Sequence, residues 1–173
     1  MNIVLIGFMG TGKSAIGRAL ARRTGFRHLD TDREIEQAAG KTIPEIFAAE
    51  GEAVFRARET ALLVSLAGED GPLILSTGGG TSVRPENAAL LKQIGIVVWL
   101  QVAPEAILSR VARSLHDRPL LAAYQDDPLG RIKSLLAQRS PAYAALADVV
   151  LDTSDCVHSG EGAARLMERL RLI

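Results

Sequence analysis

The stretch GFMGTGKS at residues 7–14 decides the fold of this chain. It matches the pattern G-x-x-x-x-G-K-[ST], follows the apolar run at residues 2–6 and leads into helical spacing at 14–23. Glycines let such a loop curl until its main-chain N–H groups point inward at phosphate oxygens. The stretch therefore predicts a nucleoside triphosphate site, with Lys13 across the β- and γ-phosphates and Ser14 on Mg²⁺. The residues expected to bind this nucleotide are Gly10, Thr11, Gly12, Lys13, Ser14 and Ala15.

Short apolar runs alternate with helical stretches along the rest of the chain. Strands are predicted at residues 2–6, 27–30, 73–76, 97–101 and 149–151. Helices are predicted at 14–23, 52–66, 85–92, 104–113 and 161–171, with further helical pieces within 31–58. The stronger strand runs are continuous rather than alternating, which is typical of parallel strands covered on both faces. The alternation of strands and helices predicts an α/β layer fold with right-handed crossovers.

The composition limits the classes of protein that fit. The chain has 173 residues, 47% of them hydrophobic and 23% charged, as expected for one globular domain spanning residues 1–173. Twenty basic residues balance twenty acidic ones, so no overall field attracts nucleic acid or an anionic membrane. One Cys and three scattered His residues rule out an internal disulfide and argue against a zinc site. With no membrane-length apolar run and no basic leader, we expect a cytoplasmic monomer.

Two further segments follow predicted strands and are expected to face the ligand crevice. Asp30 and Asp32 come after the second strand, where carboxylates face bound ligands in parallel sheets. We assign Asp30 to Mg²⁺, through water, and Asp32 to a substrate hydroxyl; the alternative is that either residue caps a helix at 33–38. The run STGGGT at residues 76–81 exposes main-chain N–H groups to a ligand, unless it is only a flexible connection. Ser76 stands where an acidic residue often sits, so any metal contact there would be indirect.

Together these segments resemble the shikimate kinase family, in the nucleoside-monophosphate-kinase-like branch of P-loop proteins. The resemblance is carried by GFMGTGKS at 7–14, DTDREIE at 30–36, GKTIPEIFAAEGEAVFRARE at 40–59, STGGGT at 76–81, RPLL at 118–121 and RSPAYAALAD at 139–148. It implies a three-layer αβα fold with a central five-stranded parallel sheet in the order 2-3-1-4-5. It also implies ATP-dependent phosphorylation of the 3-hydroxyl of shikimate, in the route to the aromatic amino acids, with one Mg²⁺ per ATP. The substrate-binding segment would span about 31–60 and the lid about 112–128.

On the acceptor side, the resemblance implies that two arginines bind the shikimate carboxylate. These are Arg56 and Arg139, and guanidinium groups suit a carboxylate because they form two parallel hydrogen bonds with it. Glu59 lies three residues after Arg56, within reach on a helix, and is expected to fix its guanidinium. Spacing alone also allows Arg56 to be a solvated helix charge. Pro141 suggests that Arg139 ends a helix and faces a crevice. The same pocket would be lined by Gly78, Gly79 and Gly80.

On the nucleotide side, the resemblance implies that Asp30 and Ser14 serve Mg²⁺ and that Arg110 lies on or near the adenine. Asp32 would hold the shikimate hydroxyls and orient or deprotonate the attacking one. Arg118 would reach the transferring phosphoryl group from a lid that keeps water out. The catalytic residues implied are therefore Lys13, Asp32 and Arg118.

Some alternatives stay open at this point. Arg113 competes with Arg118 for the lid position, and only the family match favours Arg118. The loop at 152–158 lacks the Arg and Pro that the family often carries there, which leaves its adenine contacts undefined. A gluconate kinase of similar architecture, or a nucleotide-dependent regulatory module without activity, are the alternative functions. Arg56 and Arg139 favour an acceptor that carries a carboxylate.

Overall fold

Parallel strands form the centre of the molecule in our computed structural model, which describes residues 1–69, 71–112 and 126–172. Its strands are β1 (Ile3–Ile6), β2 (Arg27–Asp30), β3 (Leu73–Ser76), β4 (Ile96–Gln101) and β5 (Val149–Asp152). Within the described ranges they pair in parallel as one sheet in the order β2-β3-β1-β4-β5. The predicted fold class and strand order are therefore confirmed.

The helices cover both faces of this sheet. They are α1 (Lys13–Thr24), α2 (Thr31–Ala39), α3 (Ile43–Glu50), α4 (Glu52–Leu66), α5 (Pro85–Ile94), α6 (Pro104–Val111), α7 (Pro128–Leu146) and α8 (Ser159–Leu170), with a 3₁₀ turn at Thr81–Val83. The five helices predicted from sequence all form, each within two residues of its expected bounds. Within the described part of the chain, none of the helices is long and apolar enough to cross a membrane.

The alternation of side chains along β1 explains why its sequence is apolar throughout. Val4 and Ile6 pack into a core that includes residues of α4, α5 and α7. Ile3 and Leu5 point to the opposite face and pack with residues of α1 and α8. All four side chains are fully buried. A central parallel strand has two covered faces, so every position along it favours an apolar residue.

Helix α7 is the largest element that the sequence pattern did not predict. Its start carries clear signals, since the Asp127 side chain accepts a hydrogen bond from the Gly130 N–H and Pro128 occupies the first turn. The helix runs through Pro141, so the prediction that Arg139 ends a helix is wrong. Proline removes one main-chain bond there, but the burial of Tyr143 beyond it holds the helix against the core.

Candidate active site

The phosphate loop curls as its glycines predict. Gly7, Gly10 and Gly12 have φ values of 139°, 74° and 93°, a region that residues with a side chain rarely adopt. The Lys13 ammonium lies inside this curl, where it donates hydrogen bonds to the carbonyl oxygens of Gly7 at 2.9 Å and Phe8 at 2.7 Å. Only 8% of Lys13 is exposed. The structure thus places the buried ammonium group of Lys13 within the phosphate loop, at the start of α1.

Ser14 and Asp30 meet at the edge of this loop. The Ser14 hydroxyl donates a hydrogen bond to Oδ2 of Asp30, while Oδ1 of Asp30 accepts the main-chain N–H of Asp32 at 3.1 Å. Asp30 therefore caps α2, which confirms the capping alternative for this residue, and it also pairs with Ser14; its assignment to Mg²⁺ stays a prediction. A hydroxyl and a carboxylate are the oxygen ligands that Mg²⁺ prefers, so this pair fits that ion.

Mg²⁺ in nucleotide sites is usually held by one or two protein groups together with phosphates and water. In the ranges that the structure describes, no group of three or more His, Cys, Asp and Glu side chains is placed to hold a metal ion. The Ser14–Asp30 pair beside the phosphate loop agrees with a metal that arrives with the nucleotide.

Asp32 occupies an environment that favours its protonated form. Burial, together with the negative charges of Asp30 and Glu59 and against the opposing charge of Lys13, raises the pKa of Asp32 to about 6. A Cβ at Gly78 would lie 2.8 Å from Asp32 Oδ1, so the carboxyl rests directly against the glycine run. A carboxyl group that titrates near neutral pH suits the transfer of a proton from a hydroxyl.

Arg56 is held in place by buried and exposed carboxylates. Its Nη1 donates to Oε2 of Glu59 at 2.7 Å, and its Nη2 donates to Oε1 of Glu52 at 3.0 Å. Glu59 is only 1% exposed, and its second oxygen accepts a hydrogen bond from the Thr81 hydroxyl. The Arg56 guanidinium also lies over the Phe55 ring, 5.3 Å from its centre. The expected contact between Glu59 and Arg56 is confirmed.

Arg139 approaches the same place from α7. Its Nη1 donates to the Gly79 carbonyl oxygen at 3.3 Å, and its guanidinium lies 5.6 Å from the centre of the Phe8 ring. The Tyr143 hydroxyl donates to the same carbonyl at 2.6 Å. Tyr143 was not predicted as a site residue, although the R-x-x-x-Y spacing places both side chains on one helix face. The two residues together fix the middle of the glycine run.

A cavity of about 580 Å³ joins these groups, and we call it the acceptor cavity. Asp32, Arg56 and Arg139 all line it, together with the three predicted glycines, Gly78, Gly79 and Gly80. One wall is apolar and was not predicted; its members are Met9, Ile43, Pro44, Phe47 and Phe55. The remaining lining residues are acidic, namely Glu36, Glu52 and Glu59. The cavity thus presents two guanidinium groups, four carboxyl groups and an apolar wall.

A second cavity, of about 200 Å³, is lined by Thr11 and Gly12 of the phosphate loop, and we call it the nucleotide cavity. Arg110 lines it and donates to the carbonyl oxygens of Thr153 at 2.6 Å and Thr11 at 3.4 Å. It therefore joins the phosphate loop to the loop that follows β5. The Thr153 hydroxyl is buried and has no hydrogen-bond partner among the described residues. The other lining residues are Ala15, Ile16, Cys156, Val157, His158 and Ser159.

Arg118 lies outside the described residues, as do Arg113 and most of the predicted lid at about 112–128. The role assigned to Arg118 stays a prediction.

The chain is similar to shikimate kinases along almost its whole length. The family model described as shikimate kinase matches residues 9–171. A shikimate kinase from Symbiobacterium thermophilum is 46% identical over 172 residues, which cover 99% of this chain and 97% of the relative. A shikimate kinase from Acinetobacter baumannii, solved in complex with shikimate, superimposes with a TM-score of 0.89 at 39% identity, covering 98% of this chain and 92% of that one.

A gluconokinase from Sinorhizobium meliloti 1021 is similar only in fold. It covers 99% of this chain and 95% of its own, but with a TM-score of 0.55 and 20% identity.

Proposed function

The chain belongs to the shikimate kinase family, and on that premise we propose that it transfers the γ-phosphoryl group of ATP to the 3-hydroxyl of shikimate. One observation carries this proposal: Asp32, Arg56 and Arg139 line a single cavity that also reaches Met9 of the phosphate loop. A kinase acceptor must lie beside the terminal phosphate, and the contact of this cavity with the phosphate loop supports that position.

The acceptor cavity matches the chemistry of shikimate, a small ring with one carboxylate and three hydroxyls. Arg56 and Arg139 would bind the carboxylate as guanidinium forks, while Asp32 would accept hydrogen bonds from the hydroxyls. Gly78, Gly79 and Gly80 let the ring approach the main chain. We propose that residues 1–173 act as one kinase domain, in which the segment at about 31–60 forms most of the acceptor wall.

Phosphoryl transfer depends mainly on positioning and on charge stabilisation. Asp32 would orient the 3-hydroxyl and take its proton as the bond to phosphorus forms. The Lys13 ammonium would stabilise the negative charge on the β- and γ-phosphate oxygens. Mg²⁺, held by Ser14 and by Asp30 through water, would supply further positive charge at these oxygens. Arg118 is proposed to contact the transferring group.

On the nucleotide side, the nucleotide cavity is lined by Thr11, Gly12, Ala15 and Arg110. Gly10, Lys13 and Ser14 belong to the same stretch of chain but do not line it. We propose that the triphosphate lies along the loop with the adenine near Arg110.

A coupled ADP-release assay tests the proposal directly. We expect ADP release to depend on added shikimate and to be much slower with gluconate or with no acceptor. Equal rates with shikimate and gluconate would contradict the assignment. ADP release that needs no acceptor would instead support a nucleotide-dependent module.

Replacing Arg56 with Lys should raise the KM for shikimate by about tenfold or more, because lysine cannot make the paired hydrogen bonds of a guanidinium. The KM for ATP should stay within about twofold. Arg58→Lys is the matched control, because Arg58 lies on the same helix but donates to Glu50 at 2.7 Å and does not line the acceptor cavity. Steady-state kinetics of both variants check this. A larger effect in the control would place the carboxylate site elsewhere.

The affinity for shikimate should depend on pH through Asp32. Its pKa of about 6 lies above the usual value, so Asp32 is mostly protonated at pH 5 and mostly ionised at pH 7. An ionised carboxylate accepts stronger hydrogen bonds from hydroxyls, so the association constant of the nucleotide-free protein should rise about tenfold over this range. Calorimetric titration at several pH values measures it. A flat profile, or the same profile in Asp32→Asn, would contradict the assignment.

A further inference from the structure

A polar contact behind the phosphate loop has no part in the chemistry proposed above. His28 lies within β2 and Ser76 ends β3, and His28 Nε2 is 3.0 Å from Ser76 Oγ. The Ser76 oxygen is 3.1 Å from the carbonyl oxygen of Lys13, the first residue of α1. Two neighbouring strands are thereby connected to the first turn of the helix that follows the phosphate loop.

The direction of both hydrogen bonds follows from a count of hydrogens. A carbonyl oxygen only accepts, so Ser76 donates its single hydroxyl hydrogen to Lys13. The Ser76 oxygen must then accept from His28, which therefore carries a hydrogen on Nε2. In a neutral ring, the contact thus selects the tautomer that carries its hydrogen on Nε2.

Helix α1 leaves room for this contact because residue 17 is a glycine. A Cβ at Gly17 would lie 2.6 Å from His28 Nε2 and 2.8 Å from Ser76 Oγ. Glycine has a low helix propensity and lowers the stability of a helix interior. Its presence at position 17 is explained by the lack of room for a side chain there. The imidazole therefore packs directly against the main chain of α1.

The same strand face carries the proposed metal pair. His28 and Asp30 are two residues apart in β2, so their side chains point to one face of the sheet. Asp30 pairs with Ser76 in the β2–β3 register and accepts the hydroxyl of Ser14. The first turn of α1 is thus bonded to the sheet at two adjacent positions, Lys13 through Ser76 and Ser14 through Asp30.

We propose that His28 is a positioning residue that acts through Ser76 to hold the first turn of α1 where Ser14 and Asp30 can bind the Mg²⁺ of the nucleotide. The inference rests on the proposed function, since it takes that pair to be the metal site. His28 lines neither the acceptor cavity nor the nucleotide cavity. Without the N–H donor of His28, Ser76 can rotate away from Lys13, and the turn that carries Ser14 loses its bond to the sheet through Ser76.

Two amide variants of the full chain test this inference. In His28→Gln the amide nitrogen extends to about the position of Nε2 and can still donate to Ser76. In His28→Asn the amide is too short to reach it, although its chemistry is the same. Calorimetric titration with ADP should be run with Mg²⁺ and with EDTA, alongside melting temperatures.

We expect His28→Asn to weaken the binding of MgADP by about tenfold, as for other groups that orient a metal ligand. His28→Gln should bind MgADP within about twofold of the wild type, and metal-free ADP should bind equally well to all three proteins. Unchanged MgADP binding in His28→Asn would overturn the proposal. So would equal weakening by both variants, or equal losses with and without Mg²⁺.

Ser76→Ala provides a second test that does not depend on the folding of the His28 variants. It should weaken MgADP binding to a similar extent, and adding His28→Asn to it should cause little further loss. Additive losses would contradict an action of His28 through Ser76. These titrations contain no shikimate, so a failure of the ADP-release assay would reject the proposed function without deciding the role of His28.

Discussion

Replacing Asp32 with Asn should lower kcat for shikimate phosphorylation by about 10²- to 10⁴-fold, the range typical for removal of a general base. Asparagine has nearly the same shape, so the acceptor cavity should keep its form and its arginines. What is lost is a group that can take the hydroxyl proton. A kcat within about tenfold of the wild type would leave Asp32 as an orienting group only. Asp155→Asn is the control, because Asp155 is exposed, pairs with Arg165 and lines neither the acceptor cavity nor the nucleotide cavity.

Asp32→Asn should not destabilise the fold at pH 8. The pKa of Asp32 is about 6 in the folded chain and lower when unfolded, so its protonation favours folding. That contribution is complete below about pH 4 and is lost as the pH rises through 6. By pH 8 the ionised carboxyl costs up to about 3 kcal/mol, which asparagine avoids. Denaturant unfolding at pH 8 should therefore show Asp32→Asn to be at least as stable as the wild type. A clearly less stable variant would show that the lost activity reflects folding.

Replacing Lys13 with Met should lower kcat/KM for ATP by about 10²- to 10³-fold, as expected when a charge aimed at the developing negative charge is removed. Methionine preserves most of the apolar stem and removes only the ammonium. At pH 8, well above the Asp32 pKa of about 6, the affinity for shikimate without nucleotide should change by less than about threefold, because Lys13 does not line the acceptor cavity. Steady-state kinetics and calorimetry measure the two quantities.

Lys41→Met provides a matched control, because Lys41 is exposed and pairs only with Glu50 among the described residues. Its kinetics should equal those of the wild type. If Lys13→Met kept more than about a tenth of the wild-type kcat/KM, the assignment of Lys13 to the phosphates would be wrong.

Features that depend on neighbours in the sequence were predicted well. The loop at 7–14 and the following helix are set by glycine positions and by helical spacing. Arg56 and Glu59 are three residues apart on α4, so their contact could be inferred from helix geometry alone. Asp30 caps α2, as its position just before a predicted helix indicated.

Features that depend on packing between distant segments were not predicted. The bond between Thr81 and Glu59, and that between His28 and Ser76, join residues 22 and 48 positions apart. Their approach depends on strand register and helix placement, which no local pattern reveals. Helix α7 continues beyond Arg139, although Pro141 predicted a helix end there, because Tyr143 and Leu146 are buried in the core beneath it.

The phosphate loop contributes residues to two ligand cavities. Met9 lines the acceptor cavity, and Thr11 and Gly12 line the nucleotide cavity. Under the proposed function, a synthetic inhibitor that joins an adenosine moiety to a cyclohexene carboxylate by a short anionic tether would follow this loop and engage both cavities at once. Tethering makes the second binding event intramolecular, so two weakly binding fragments combine into a tight inhibitor when the tether matches the distance between the cavities.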